Sequence, residues 1–274
     1  MTILVTGGTG LVGRTICGGL AARGHHVRCV DRTLRPQPGV ESRVADLRVR
    51  EAIYPHLAGV EAVVHLANHS NQWRADAQTL LAENTALNTH VFQAAVEAGV
   101  RSVIFSSSIQ VVSGLPLDDR ASRDPSRPVA PPAYPLSGDS SPRPGNAYAA
   151  SKVLGEQLLR YHAEIHGLAA TALRLPFIVR DRRGLAAQAV RMVGDTWAHE
   201  GFAWLWAGDL PGLIDALLRH PSPGYRCLLP SAPPMEAIPE VRAALALHRA
   251  ARVAPLPPID LDRWAPTPLE NLPA

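Results

Sequence analysis

Apolar positions alternate between two rhythms through the first two-thirds of the chain. Thr2-Ile3-Leu4-Val5-Thr6 is a short β-branched run, and glycines follow it at once. From Leu11 to about Arg23 the spacing turns helical. His26-Val27-Arg28-Cys29-Val30 reads as a second strand ending at Asp31, Val44-Ala45 as a brief third, and Ala62-Val63-Val64-His65-Leu66 as a fourth. Leu80, Leu81, Leu87, Val91, Phe92 and Ala95 mark one face of a helix over 79–99, before a fifth strand at 101–105. A helix over 146–166 and a sixth strand over 170–175 complete the series. Short apolar runs separated by helices predict βαβ units around a buried parallel sheet with right-handed crossovers. Beyond it the pattern breaks into short pieces: a helix at 184–193, an aromatic segment at Trp204-Leu205-Trp206, a helix at 211–219, a strand at 226–229 and a helix at 239–247.

Between Pro116 and Pro144 eight of 29 residues are proline. Proline gives no amide hydrogen to a ladder and biases its predecessor away from the helix, so this stretch predicts an irregular excursion, either over a site or as a surface insert. The fold class predicted is α/β, a doubly wound parallel sheet of the Rossmann type over 1–176 carrying a small lobe over 177–274, with returning elements allowed.

Composition narrows the picture. The chain has 274 residues, 46% of them hydrophobic and 19% charged, which suits a globular protein. A surplus of 27 Lys+Arg over 24 Asp+Glu, net +3, is too small and scattered to imply a nucleic-acid partner. The three cysteines lie far apart, which suits a reducing compartment. No apolar run has the length of a membrane span, and a strand begins at residue 2. These features predict a cytoplasmic protein without membrane or nucleic-acid partners.

The chemistry begins at Gly7-Gly8-Thr9-Gly10-Leu11-Val12-Gly13, between the first strand and the first helix. Gly7 permits a tight turn, Gly10 lets backbone approach a pyrophosphate, and Gly13 lets the helix pack closely on the sheet. The first amides of that helix would donate to phosphate oxygens. Asp31 ends the second strand, where a carboxylate can accept both ribose hydroxyls of an adenosine and repel a 2′-phosphate. That favours NAD over NADP, while the neighbouring Arg32 leaves the phosphorylated cofactor open. Asp46 is a candidate acceptor for the adenine amino group.

Tyr148-Ala149-Ala150-Ser151-Lys152 places a phenol and an ammonium four residues apart, on one face at the start of a helix. A phenol is a poor base at neutral pH, and a nearby cation would stabilise its anion. Ser107 and Ser108 offer hydroxyls at the sheet rim where open α/β folds hold ligands.

These motifs, in this order, resemble the extended short-chain dehydrogenase/reductases of the NAD-dependent epimerase/dehydratase family. Thr6-Gly7-Gly8-Thr9-Gly10-Leu11-Val12-Gly13 resembles the opening motif, His65-Leu66-Ala67 the close of the fourth strand, Phe105-Ser106-Ser107-Ser108 the serine strand end, and Leu173-Arg174-Leu175 the sixth strand. The resemblance implies Ser108, Tyr148 and Lys152 as the catalytic set. It also implies cofactor contacts through Thr9, Leu47, Leu66, Ala67, Asn84, Ser106 and Leu175, a small carbohydrate-like substrate, and a homodimer through the two long helices. Ser108, Gln110, Tyr148 and Phe177 are the implied substrate contacts, with Arg182 and Arg183 as a guanidinium fork or a solvated loop.

Departures from the pattern matter as much. Ile109-Gln110 stands where nucleotide-sugar dehydratases carry Asp-Glu, so water elimination lacks its acid and base. Pro176-Phe177 replaces an asparagine step common in epimerases. Fewer than a hundred residues follow the sixth strand, which resembles the compact uronate dehydrogenases. The resulting expectation is an NAD-dependent oxidoreductase of a small carbohydrate or sugar acid. A nucleotide-sugar epimerase with retained NAD and a non-catalytic NAD sensor are the alternatives.

Overall fold

The computed structural model describes residues 1–71, 73–114, 136–180, 200–201 and 203–232. Its main sheet contains β1 (Thr2–Thr6), β2 (His26–Asp31), β3 (Val40–Val44), β4 (Ala62–His65), β5 (Ser102–Ser108), β6 (Ala169–Leu175) and β9 (Tyr225–Leu228). The seven strands run in the order β3-β2-β1-β4-β5-β6-β9, all parallel. A separate parallel pair joins β7 (Phe177–Val179) to β8 (Trp204–Trp206). The α-helices are α1 (Leu11–Ala21), α2 (Ala77–Glu97), the single turn α3 (Gln110–Ser113), α4 (Ala147–His166) and α5 (Leu210–Arg219), with a 3-10 helix at Arg50–His56.

Strand side chains alternate between faces, and helices cover both of them here. Leu4, Val63, Val103, Phe105 and Ala170 face α2 and α4, where they meet Leu87, Val91, Phe92, Leu159 and Ala163. Ile3, Val5, Val64, Ile104 and Leu173 face the other way, onto Ile16 and Leu20 of α1 and Leu213, Ile214 and Leu217 of α5. Continuous apolar runs in β1, β4 and β5 thus follow from burial on both sides.

Two elements expected after residue 176 come back to this sheet. α5 packs against α1, where a Cβ on Gly19 would collide with Pro211, and His25 Nε2 lies 2.6 Å from Asp215 Oδ1. β9 extends the sheet beside β6. The third strand lies over 40–44, earlier than Val44-Ala45 suggested, because an edge strand with its outer side in solvent tolerates the polar Glu41, Ser42 and Arg43. Trp204 and Trp206 form β8 and pack edge to face with ring centroids 5.0 Å apart; neither lines the cleft described below. The expected helices at 184–193 and 239–247, most of the proline-rich stretch, and Tyr134, Arg182, Arg183 and Trp197 lie outside the described residues.

A buried ion pair ties α4 to the sheet. Arg174 Nε and Nη2 donate to the Glu156 carboxylate at 3.0 and 2.9 Å, with Arg174 3% and Glu156 2% exposed. Ser107 Oγ donates to the same carboxylate at 2.6 Å, and Arg174 Nη1 reaches the Ser140 carbonyl at 2.6 Å. Removing one partner strands the other charge, whereas replacing both by apolar groups costs far less. Glu156→Ala should therefore destabilise the protein by about 3–5 kcal/mol in urea unfolding, and the double variant Glu156→Leu/Arg174→Met should recover most of that loss.

Candidate active site

Strand order reverses between β1 and β4, and ligands of open α/β sheets bind in the crevice at such a point, beyond the carboxyl ends of the strands. A cleft of about 670 Å³ lies there. Asp31, Arg32, Asp46, Leu47 and Arg48, after β2 and β3, line one end, and Ser108, Gln110, Tyr148, Lys152, Phe177 and Glu200 line the other.

The glycine turn forms the floor between them. Gly7 has φ +70°, and a Cβ on it would stand 2.8 Å from backbone atoms of Leu66 and Ala67. A Cβ on Gly13 would strike the Gly7 carbonyl oxygen, so α1 seats against the turn only with glycine at that position. Gly7, Gly10, Leu11, Val12 and Gly13 all line the cleft, beside Leu66, Ala67, Ser106 and Leu175. The turn presents a helix N-terminus and close backbone to an anion, which fits the diphosphate of a dinucleotide.

Asp31 has a second task that its position in the sequence did not reveal. Its Oδ2 accepts from Thr9 N at 3.0 Å and Thr9 Oγ1 at 2.7 Å, while Oδ1 accepts from Arg32 N at 2.7 Å. The carboxylate braces the glycine turn as well as facing the cleft. Asp46 is gripped by the Arg48 guanidinium, with Nη2 at 2.6 Å, and this holds its carboxyl below the usual range. Asn84 is fully buried and does not line the cleft: its Oδ1 accepts from His69 N at 2.7 Å and its Nδ2 donates to Ser151 Oγ at 2.9 Å. It joins the loop after β4 to α4, one layer behind the cofactor contact implied for it.

At the other end, α4 starts at Asn146, whose Oδ1 caps Ala149 N at 2.8 Å. The next two turns deliver Tyr148 and Lys152 to the cleft. Lys152 Nζ donates to Asn68 Oδ1 at 2.9 Å and to the Ser106 carbonyl at 2.7 Å, and lies 5.6 Å from the Tyr148 ring centroid. Burial pulls the ammonium down to about 7, against the raising effect of the Glu156 charge. Ser108 lines the cleft together with Tyr148. Ser107 is spent on Glu156, so Ser108 is the strand-end serine left to act beside the phenol.

The phenol departs from expectation in one respect. A neighbouring ammonium was expected to lower its pKa, yet burial pushes Tyr148 up to about 12, with the Ser108 hydrogen bond opposing and the Glu200 charge reinforcing that rise. Desolvation outweighs a cation that is itself buried and weakened.

Asn68 belongs to a buried polar chain that sequence motifs did not disclose. Asn68 Nδ2 donates to Asn88 Oδ1 at 3.0 Å, His65 Nε2 meets the same oxygen at 3.0 Å, and His65 Nδ1 lies 2.7 Å from Thr6 Oγ1. This pattern assigns the His65 proton to Nε2, with Thr6 donating to Nδ1. Glu200 was missed as well: a lone carboxylate before the apolar run Ala203-Trp204-Leu205-Trp206 carries no periodic signal.

Burial and the Lys152 charge push the His65 imidazole down to about 3. In the unfolded chain the same ring gains a proton near pH 6.5, so below that pH the unfolded state binds more protons than the folded one. The stability held by neutral His65 is complete above about pH 6.5 and drains away as pH falls toward 3, by up to about 1.4 kcal/mol per pH unit. Urea unfolding at about pH 6.5 and about pH 5 should show a smaller acid loss for His65→Gln than for the native chain. Equal losses would locate the acid sensitivity elsewhere.

Residues 3–184 match the model of the NAD dependent epimerase/dehydratase family. The chain is 31% identical over 204 residues to an L-arabinose 1-dehydrogenase (NAD(P)(+)) of Haloferax volcanii, covering 73% of this chain and 78% of that protein. It is 24% identical over 226 residues to a uronate dehydrogenase of Pseudomonas syringae pv. tomato, covering 81% of this chain and 71% of that one. Among solved structures, a mutant uronate dehydrogenase from Agrobacterium tumefaciens complexed with NAD superposes with a TM-score of 0.65 at 20% identity, over 93% of this chain and 91% of its own. Strand order, glycine turn and the match over most of the sequence agree: the chain belongs to the NAD-dependent epimerase/dehydratase family.

Proposed function

We propose that the protein oxidises a hydroxyl of a small carbohydrate with NAD, or reduces the corresponding carbonyl with NADH. The observation that carries this reading is the convergence of Ser108, Tyr148 and Lys152 on the cleft end farthest from Asp31 and Asp46, with the glycine turn between the two. Gly7, Gly10 and Gly13 would hold the diphosphate of NAD, which when bound would supply the hydride acceptor and a positive charge.

Each side chain then has a defined task. Ser108 donates to and orients the reacting oxygen. Tyr148 takes the hydroxyl proton as the adjoining carbon gives up its hydride, leaving a carbonyl, NADH and one proton for solvent. Lys152, steadied by Asn68 and the Ser106 carbonyl, offers its remaining N–H to the cofactor ribose and adds positive charge near the phenol. Gln110 and Phe177 border the space left for substrate. Asp31 at the adenosine end, with its carboxylate oxygens at the rim, favours a free 2′-hydroxyl and hence NAD. Exposed Leu154, Tyr161 and Ile165 on α4 support a homodimer built on that helix.

The test is an NAD-coupled screen of neutral aldoses, sugar acids and nucleotide sugars, read by the absorbance of reduced nicotinamide. Net NADH formation is expected with a free sugar, and Tyr148→Phe should lower kcat/KM by about 10²- to 10⁴-fold while NAD affinity is kept. Epimerised product without net NADH would assign the epimerase reaction instead. Wild-type rates in Tyr148→Phe would remove the phenol from the mechanism.

A further inference from the structure

Glu200 is the one carboxylate among the described residues lining the catalytic end of the cleft. It is 7% exposed and stands where substrate would lie, with Tyr148, Ser108, Gln110 and Phe177 on the same wall. Its position is built from several elements. Ala203 N donates to the Glu200 carbonyl at 3.2 Å, closing a turn just ahead of β8, whose pairing with β7 fixes that segment after β6. Ala203 packs into a cluster with Ile109, Val111 and Val112, the apolar neighbours of Gln110. The turn and α3 are thereby held together, with Gln110 and Glu200 on the same cleft wall. Gln110 Oε1 accepts from Asn146 Nδ2 at 3.3 Å, which fixes that side chain beside the cleft.

A carboxylate has about four acceptor positions and no donor when ionised. Glu200 borders the cleft, so a ligand held there can donate to its carboxylate. The partner that satisfies buried acceptors without bringing a like charge is a neutral group rich in O–H donors. Vicinal hydroxyls of a sugar ring can occupy both carboxylate oxygens at once. A second carboxylate or a phosphate in the same water-poor space would meet direct repulsion, strengthened by the low dielectric.

We infer that Glu200 is a substrate-recognition residue that accepts hydrogen bonds from hydroxyls of a neutral aldose or polyol and turns away sugars bearing a carboxylate or phosphate near the reacting carbon. This deepens the proposed sugar oxidoreductase activity and rests on it. Burial pushes the Glu200 carboxyl up to about 7. Hydroxyl donors therefore favour its ionised form, the form that repels a second anion. Titratable groups facing it are Tyr148 and, on the same helix face, Lys152, which is committed to Asn68 and Ser106.

The experiment compares sugars that differ at one carbon, D-galactose with D-galacturonate and D-glucose with D-glucuronate, on wild type, Glu200→Gln and Glu200→Asp, with NAD affinity measured alongside. In wild type the neutral member of the accepted pair should have the higher kcat/KM by about tenfold or more. Glu200→Gln should lower kcat/KM for the neutral sugar by about tenfold or more, chiefly through KM, and shrink the neutral-to-acid ratio. Glu200→Asp, which keeps the charge, should retain the ratio. Unchanged NAD affinity in the variants identifies intact cofactor sites. Wild-type preference for the uronate, or a ratio untouched in Glu200→Gln, would overturn the inference while leaving the oxidoreductase reading in place. No turnover of any sugar by wild type would overturn both.

Discussion

The site depends on one buried cation. Lys152 carries its ammonium into the interior, 3% exposed, and two neutral oxygens receive it: Asn68 Oδ1 and the Ser106 carbonyl. Among the described residues no carboxylate hydrogen-bonds to it; the carboxylate whose charge acts on it is Glu156, one turn along α4. Burying a cation without a contacting anion is costly, and the cost appears as an ammonium held far below its ordinary pKa. Three elements must meet for this arrangement to exist: the segment after β4 for Asn68, the end of β5 for Ser106, and α4 for the lysine itself.

Two of the polar systems in this interior have different consequences. Glu156, Arg174 and Ser107 form a saturated ion pair behind β5 that anchors α4. Thr6, His65, Asn88 and Asn68 form a mostly neutral chain that ends on the Lys152 ammonium. The first fixes where the helix lies; the second orients what the helix presents. Neither system stabilises phenolate in the free protein. In the proposed reaction Tyr148 would be a base in waiting, to be activated by the added positive charge of an oxidised nicotinamide.

Much of this could be read along the chain, for reasons that are local. Strand-length apolar runs, the glycine spacing and the Tyr148–Lys152 interval each encode their structure within a few residues. The crevice follows from the parallel order they impose. Contacts of large sequence separation were not legible. Asn68 reaches Lys152 across 84 residues, and nothing in Ala67-Asn68-His69 advertises that meeting. Glu200 shares the cleft wall with Gln110 because Ala203 packs beside Ile109 and Val111, a contact invisible to periodicity. The return of elements after residue 176 was allowed for, but which ones and onto what was not legible: the patterns of α5 and β9 specify a face to bury and leave the partner unspecified. Asn84, also implied as a cofactor contact by its motif position, has its side chain engaged by His69 and Ser151.

The central claim is that burial keeps Tyr148 protonated until the cofactor's charge arrives. A ¹³C-tyrosine NMR titration with and without NAD, assigning the Tyr148 Cζ resonance against Tyr148→Phe, reads this directly. In the free protein the resonance should remain that of a neutral phenol through about pH 10, and saturating NAD should move its midpoint down by several units. A Tyr148 midpoint already below 10 in the free protein, or one that NAD leaves where it was, would contradict the account.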